Sequence, residues 1–275
     1  LGSVKRSDSF YSKSIPMTIR FILDAPLYSA VPEPVPASRC LPDWYKDTPF
    51  NREDEFGASH HDRTIRGCMP FLDAMSMGWV LRIPQDLSIR SSSSGIKMEY
   101  ADLPGGIEAI SMFDDSALPT TPDSLPDGII PLKMNTHWYL DGHEGSKAWV
   151  MPPQNRFQAT EYENMIFTSG VYSIDSTYID SGIIAFLDTT NNLSLDIRAG
   201  TPIAQVMFLD DSGLVNNATV ERMTDETRAE VDIAKARESV NRHKYKEEVW
   251  EPVGRAKAAT SAEDAGCPLG FGGDE

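Results

Sequence analysis

Apolar and polar residues alternate along two stretches of the chain, and a period of two is what a half-buried β-strand requires. In the first stretch Trp79, Leu81 and Ile83 alternate with Val80 and Arg82. Leu87 and Ile89 alternate with Ser88 and Arg90, and Ile96, Met98 and Tyr100 with Lys97 and Glu99. Ser91 to Gly95 carries a turn signal, so the last two runs predict a β-hairpin. The second stretch predicts five short strands: Thr136 to Leu140, Ser146 to Met151, Ile183 to Leu187, Leu193 to Arg198 and Pro202 to Leu209. Each is bounded by Gly, Pro, Asn or Asp, and no amphipathic helices interleave them. That pattern predicts a mostly β domain, a sandwich or barrel rather than a parallel α/β sheet.

Other segments break the alternation. Residues 25 to 49 hold Pro26, Pro32, Pro34, Pro36, Pro42 and Pro49, which disfavours a helix or a central strand and predicts an extended N-terminal arm over the surface. The arm ends in Leu41-Pro42-Asp43-Trp44-Tyr45-Lys46, which reads as an anchor in an apolar groove, with a partner-binding arm as the alternative. Met69 to Trp79 predicts a single helical turn opened by Pro70 and closed by Gly78. Residues 101 to 131 read as a short strand, Ile107 to Phe113, followed by a polar loop that ends at Pro131.

Thr224 reads as an N-cap, with Asp225 and Glu226 in the first turn of a helix that runs to about Glu248, near Arg242, Lys244 and Lys246. Val231, Ala234, Val240 and Trp250 form a thin apolar stripe, suited to packing on the sheet or to reaching a neighbouring subunit. The expected organisation is a disordered leader over 1–16, whether native or an upstream translation artefact, and a β domain with its arm over 17–223. A helix over 224–250 and a disordered tail over 251–275 complete it.

With 275 residues, 40% of them hydrophobic, the chain can bury a sizeable core. A formal charge of −16 argues against an extended nucleic-acid surface and against anionic lipid. No apolar run reaches the roughly 20 residues of a membrane span. Lys5 and Arg6 are followed by no apolar region, so no secretory signal is expected. Cys40, Cys68 and Cys267 lack CxxC spacing and predict reduced thiols in a cytoplasm, with neither a disulfide framework nor a zinc site. His60-His61-Asp62 reads as a solvated loop, because no third ligand stands at standard spacing. His137, Asp141 and His143 could be a metal pair on a strand and turn; hairpin chemistry around Gly142 and Gly145 is the simpler reading. No Ser or Cys sits in a nucleophile elbow.

Two segments carry a resemblance: Gly170-Val171-Tyr172-Ser173-Ile174-Asp175-Ser176-Thr177-Tyr178, and the run from Ile197 through Gly200-Thr201-Pro202-Ile203-Ala204-Gln205 to Phe208. They resemble the third and fourth motifs of dUTPases and dCTP deaminases. The resemblance implies a β-hairpin pocket for deoxyribose and base around Gly170 and Tyr178, with Asp175 orienting the attacking water. It also implies a strand beneath the phosphates that carries Gln205. From the residues alone, a buried Gln205 is either a clamp for backbone groups or a ligand for a small molecule. The second motif would fall on Val150 to Arg156, where Pro152 remains but the Arg-Ser pair does not, leaving Arg156 as a displaced cation. The first motif has no counterpart, and Gly270-Phe271-Gly272-Gly273 lacks the arginine of the last.

A broader likeness covers much of Met17 to Trp250. The carriers are Pro36-Ala37-Ser38, Leu41 to Lys46, Cys68 to Ala74, Pro153-Gln154-Asn155-Arg156 and Gly200 to Val206. In these the chain is similar to an uncharacterised family of bacteria and tailed phages with a dUTPase-like, or β-clip, domain. The expectation is a non-enzymatic, phage-type structural or binding protein without cofactor or metal. It would act as a homo-oligomer or with a protein partner, in the cytoplasm, or in the virion or host cytoplasm. The alternative is a divergent deoxynucleotide hydrolase or deaminase that uses magnesium, with Asp175 positioning water and Tyr178 and Gln205 shaping the pocket.

Overall fold

The computed structural model describes residues 18–51, 63–92, 95–101, 103–112, 128–156, 164–174, 178–191 and 193–240. Asp175, the His60-His61-Asp62 loop, Trp250 and Gly270 to Gly273 lie outside them. The first compact unit ends at Arg222 and a second begins at Met223.

The described chain opens with β1 (Ile19–Leu23) and β2 (Val35–Pro36), then α1 (Asp43–Asp47), α2 (Met69–Ser76) and β3 (Trp79–Arg82). Next come β4 (Leu87–Ser92), β5 (Gly95–Tyr100), β6 (Ile110–Met112), β7 (Ile129–Met134), β8 (Tyr139–Asp141) and β9 (Lys147–Met151). They are followed by β10 (Met165–Phe167), β11 (Gly170–Ser173), β12 (Ile179–Asp180), β13 (Ile183–Asp188) and β14 (Ser194–Ile197). The first unit closes with β15 (Pro202–Asp210), β16 (Gly213–Val215) and β17 (Ala218–Arg222), and α3 (Asp225–Val240) belongs to the second. The protein is mostly β, as the alternation predicts. The expected hairpin forms, with Leu87 opposite Tyr100, and its strands run on to Ser92 opposite Gly95, into the stretch that carries the turn signal.

The strands make four sheets, ordered β12-β8-β1-β17, β10-β13-β7-β6, β11-β9-β15-β3-β2 with β16 added to β15, and β14-β4-β5. All four contribute to one core that includes Phe21, Leu81, Ile89, Leu132, Trp138 and Phe208. Burying a ring such as Phe21, which meets Phe208 edge-on at 5.3 Å, contributes about 2–3 kcal/mol. Trp138 is 1% exposed, and its indole N–H donates to the Pro32 carbonyl at 3.1 Å.

One antiparallel ribbon links three of the sheets. The arm β7–β8–β9 runs beside β13, β12 and β11 in turn: Ile129 faces Asp188, Tyr139 faces Asp180, and Val150 faces Gly170. At the first bend Asn135 to Trp138 stand against only Ser181 and Gly182, and the surplus residues form a bulge. The bulge holds His137 at φ 64, an uncommon conformation for a residue with a Cβ. At the second bend Ile174 donates to the Ser146 carbonyl at 3.0 Å and accepts from Gly142 N at 2.8 Å. Gly170 to Ile174, and Tyr178 before β12, are therefore on one side of this bent ribbon. Among the described residues β11 pairs with β9 and β12 with β8, so these two strands are not paired with each other as the expected hairpin requires.

The proline-rich stretch is a broken path with helical turns rather than one extended arm. Helical turns form at Ala25–Leu27, Ala37–Arg39 and Asp43–Asp47, and Val35–Pro36 pairs with β3. Proline excludes a helix interior but is tolerated where a helical turn begins, and Pro26 and Pro42 stand at such starts. α2 has eight residues, twice the single turn predicted. Thr224 accepts from Thr227 N at 3.1 Å and so caps α3.

Candidate functional site

Gln205 occupies an outward position on β15 yet is only 2% exposed, because α2 and the segment after β9 cover it. Its Nε2 donates to the carbonyls of Ala74 at 2.9 Å and Met77 at 2.7 Å, and its Oε1 accepts from Gln154 N at 3.1 Å. Of the two roles open to a buried Gln, these bonds perform the clamp. Beside it Gly78 adopts φ 73, and an added Cβ would collide with the Val206 carbonyl. The Gly78 carbonyl in turn accepts from Ala37 N at 2.9 Å.

The segment Pro152 to Arg156 acts as a strap. Asn155, at φ 57, donates from Nδ2 to the Phe71 carbonyl at 3.3 Å, and Arg156 donates from Nη2 to the Cys40 carbonyl. Tyr45 is 4% exposed and stacks on Phe71, with centroids 6.2 Å apart, while Trp44 meets Phe71 edge-on at 6.1 Å. Arg66 donates to the carbonyls of Lys46 at 2.9 Å and Thr48 at 3.0 Å. The motifs around Tyr45, Phe71, Arg156 and Gln205, far apart in sequence, thus meet in one neighbourhood joined by bonds to backbone carbonyls.

The positions that the dUTPase resemblance reserves for a ligand do not all meet. Gly170 lies on β11, with β9 between it and β15. Tyr178 is half-buried at the second bend, close enough to Arg20 to favour its charged form. Arg20 donates from Nε to Asp141 Oδ2 at 2.7 Å. Gln205 and Arg156 belong to the clamp and the strap.

Nor do His137, Asp141 and His143 converge. Asp141 pairs with Arg20, and His143 Nε2 lies 3.4 Å from Asp210 Oδ2. His137 faces Asp180 and Lys133. Burial pushes the His137 pKa down, with Lys133 adding to that and Asp180 opposing it. Lys133 Nζ is 3.5 Å from Asp180 Oδ2, and its stem crosses the space where Gly182 would carry a Cβ. His137 Nε2 and Asp180 Oδ1 are buried without a hydrogen-bond partner among the described residues. Lys133 and Asp180 stand 47 positions apart and give no local signal.

The remaining feature is an apolar face. On β11, β9 and β15, Val171, Trp149 and Met207 stand directly opposite one another, all pointing outward. Val171 is 57% and Trp149 39% exposed, while their neighbours Ala148 and Val150 are buried. Leu214 on β16 faces Leu209 and is 40% exposed, and Met77, at the end of α2, is 38% exposed. The unbroken apolar run Ala148-Trp149-Val150-Met151 is a signal for this face, since alternation fails where both sides of a strand are apolar.

No helix among the described residues is long and apolar enough to cross a membrane. No protein-family profile matches the chain, and neither a curated protein nor a solved structure matches it.

Proposed function

We propose that this chain is a non-enzymatic structural or binding protein of phage type, built on a dUTPase-like β-clip scaffold. It works by contact with a protein partner or with copies of itself, in the virion or the host cytoplasm. The scaffold reading draws support from the shared sheet of β11 and β15, which holds Gly170 to Ser173 of the first resemblance segment and Pro202 to Phe208 of the second.

One observation carries the non-enzymatic reading. Gln205, the residue matched to the superfamily's conserved glutamine, commits its amide to Ala74, Met77 and Gln154, so a nucleotide would have to break a buried clamp to reach it. Arg156, the one displaced cation of the phosphate motif, is held by the Cys40 carbonyl. The exposed apolar face supplies the contact surface such a protein needs.

A thermal-shift titration with dUTP and dCTP plus magnesium tests this reading, because any ligand of the native state raises stability by mass action. The expected result is no shift at millimolar nucleotide. A rise of about 5 °C or more, the size that saturating binding gives a domain of this length, would favour a deoxynucleotide hydrolase or deaminase using Asp175.

A further inference from the structure

We infer that the outer face of β11, β9, β15 and β16 binds a second copy of this chain about a two-fold axis. The inference rests on the binding reading above and names its partner. Trp149, Val171, Met207, Leu209 and Leu214 make the face, and neighbouring rows place them side by side across four adjoining strands, while Met77, whose carbonyl accepts from Gln205, is exposed at the end of α2. A large apolar area on the outside of a strongly charged chain marks an interaction surface.

Charge selects the partner. Two copies at −16 each repel one another unless the surfaces that meet carry little negative charge. The two rows of this face carry one charged residue, Lys147, opposite Ser173 on one side and Leu209 on the other. Lys147 is exposed and pairs with no carboxylate among the described residues. The turn between β15 and β16, at the same end of the face, presents the exposed carboxylate of Asp211. A face that holds both an unpaired cation and an anion beside an apolar centre is self-complementary: a two-fold rotation sets Lys147 of each copy against Asp211 of the other. Trp149 at the centre is the residue type that dominates such contacts.

Sedimentation velocity of the full chain over a range of concentrations tests this, with Trp149→Glu and Val171→Arg as separate variants. The wild type is expected to dimerise, and each variant to weaken the dimer by about 30-fold or more while keeping the wild-type circular dichroism. Should Trp149→Glu not fold, the more exposed Val171→Arg carries the test. Lys147→Glu is expected to weaken the dimer, and its combination with Asp211→Lys to restore it. A dimer indifferent to all three substitutions overturns this face and leaves the binding reading standing. A wild type that stays monomeric at every concentration overturns the second copy as partner. The non-enzymatic reading is decided separately, by the nucleotide titration.

Discussion

The outer side of the β11-β9-β15-β3-β2 sheet differs at its two ends. Around Gln205 it is covered by α2 and the Pro152–Arg156 strap, and every hydrogen bond that holds the cover ends on a backbone carbonyl or N–H. Two residues further along β15, at Met207, the cover stops, and the same sheet presents Trp149 and Val171 to solvent. The outer side of one sheet thus carries a polar side chain where it is buried and apolar side chains where it is exposed, the reverse of what burial favours. The inversion makes sense if the polar group fastens a lid of the chain's own making and the apolar groups await a lid from elsewhere.

Perturbing the covered end should cost the fold most. Gly78→Ala forces a Cβ onto the Val206 carbonyl at a positive φ and is expected to destabilise by about 4 kcal/mol, read as a lower urea midpoint. Gln205→Leu keeps the volume but leaves the Ala74 and Met77 carbonyls and the Gln154 N–H unpaired, for an expected loss of about 3 kcal/mol in the same measurement. At the bare end, Trp149→Glu should lower the stability of the single chain by no more than about 1 kcal/mol, since it removes outward cross-strand contacts alone. Equal losses at both ends would erase the distinction.

A pH series probes a third place, the bulge that joins two sheets. Burial depresses the His137 pKa below its unfolded value of about 6.5, so the folded chain binds fewer protons there than the unfolded chain. The stabilisation is complete above that value and is lost as the pH falls through the depressed folded pKa. The melting temperature is therefore expected to drop on acidification from about pH 7 to 5. His137→Asn, which tolerates a positive φ, should flatten that part of the profile. The carboxylates with lowered pKa, such as Asp188 beside Thr190 and Asp210 beside Ser212, lose their share at more acidic pH, which separates the two effects.

Local period carried the sequence reading where strands are straight. β4 and β5 were legible as a hairpin because apolar and polar residues alternate along them, although Ser91, Ser92 and Gly95, which read as turn, belong to the strands. The N-cap at Thr224 was equally clear from the acidic residues after it. β7 was missed because Pro131 reads as the end of a loop; it is tolerated one residue past Leu132, where the pairing of β6 with β7 ends. The bends of the ribbon leave no period at all, so nothing local around Gly170 signals that β11 pairs with β9 while β12, just past Tyr178, pairs with β8 in another sheet. The turns between Ala25 and Asp47 were hidden by the prolines that start them. At the candidate site, Gln205 was recognisable as a buried amide from its apolar surroundings. Its partners were not, because Ala74 and Met77 stand about 130 positions away and contribute only carbonyl oxygens.

The role of Gln205 decides between a clamp and a ligand site, and one paired measurement addresses it. Urea unfolding of the wild type and of Gln205→Leu, each with and without millimolar deoxynucleotide and magnesium, should give a much lower midpoint for the variant and no response to nucleotide in either protein. A variant as stable as the wild type, together with a midpoint that nucleotide raises in the wild type alone, would contradict the account.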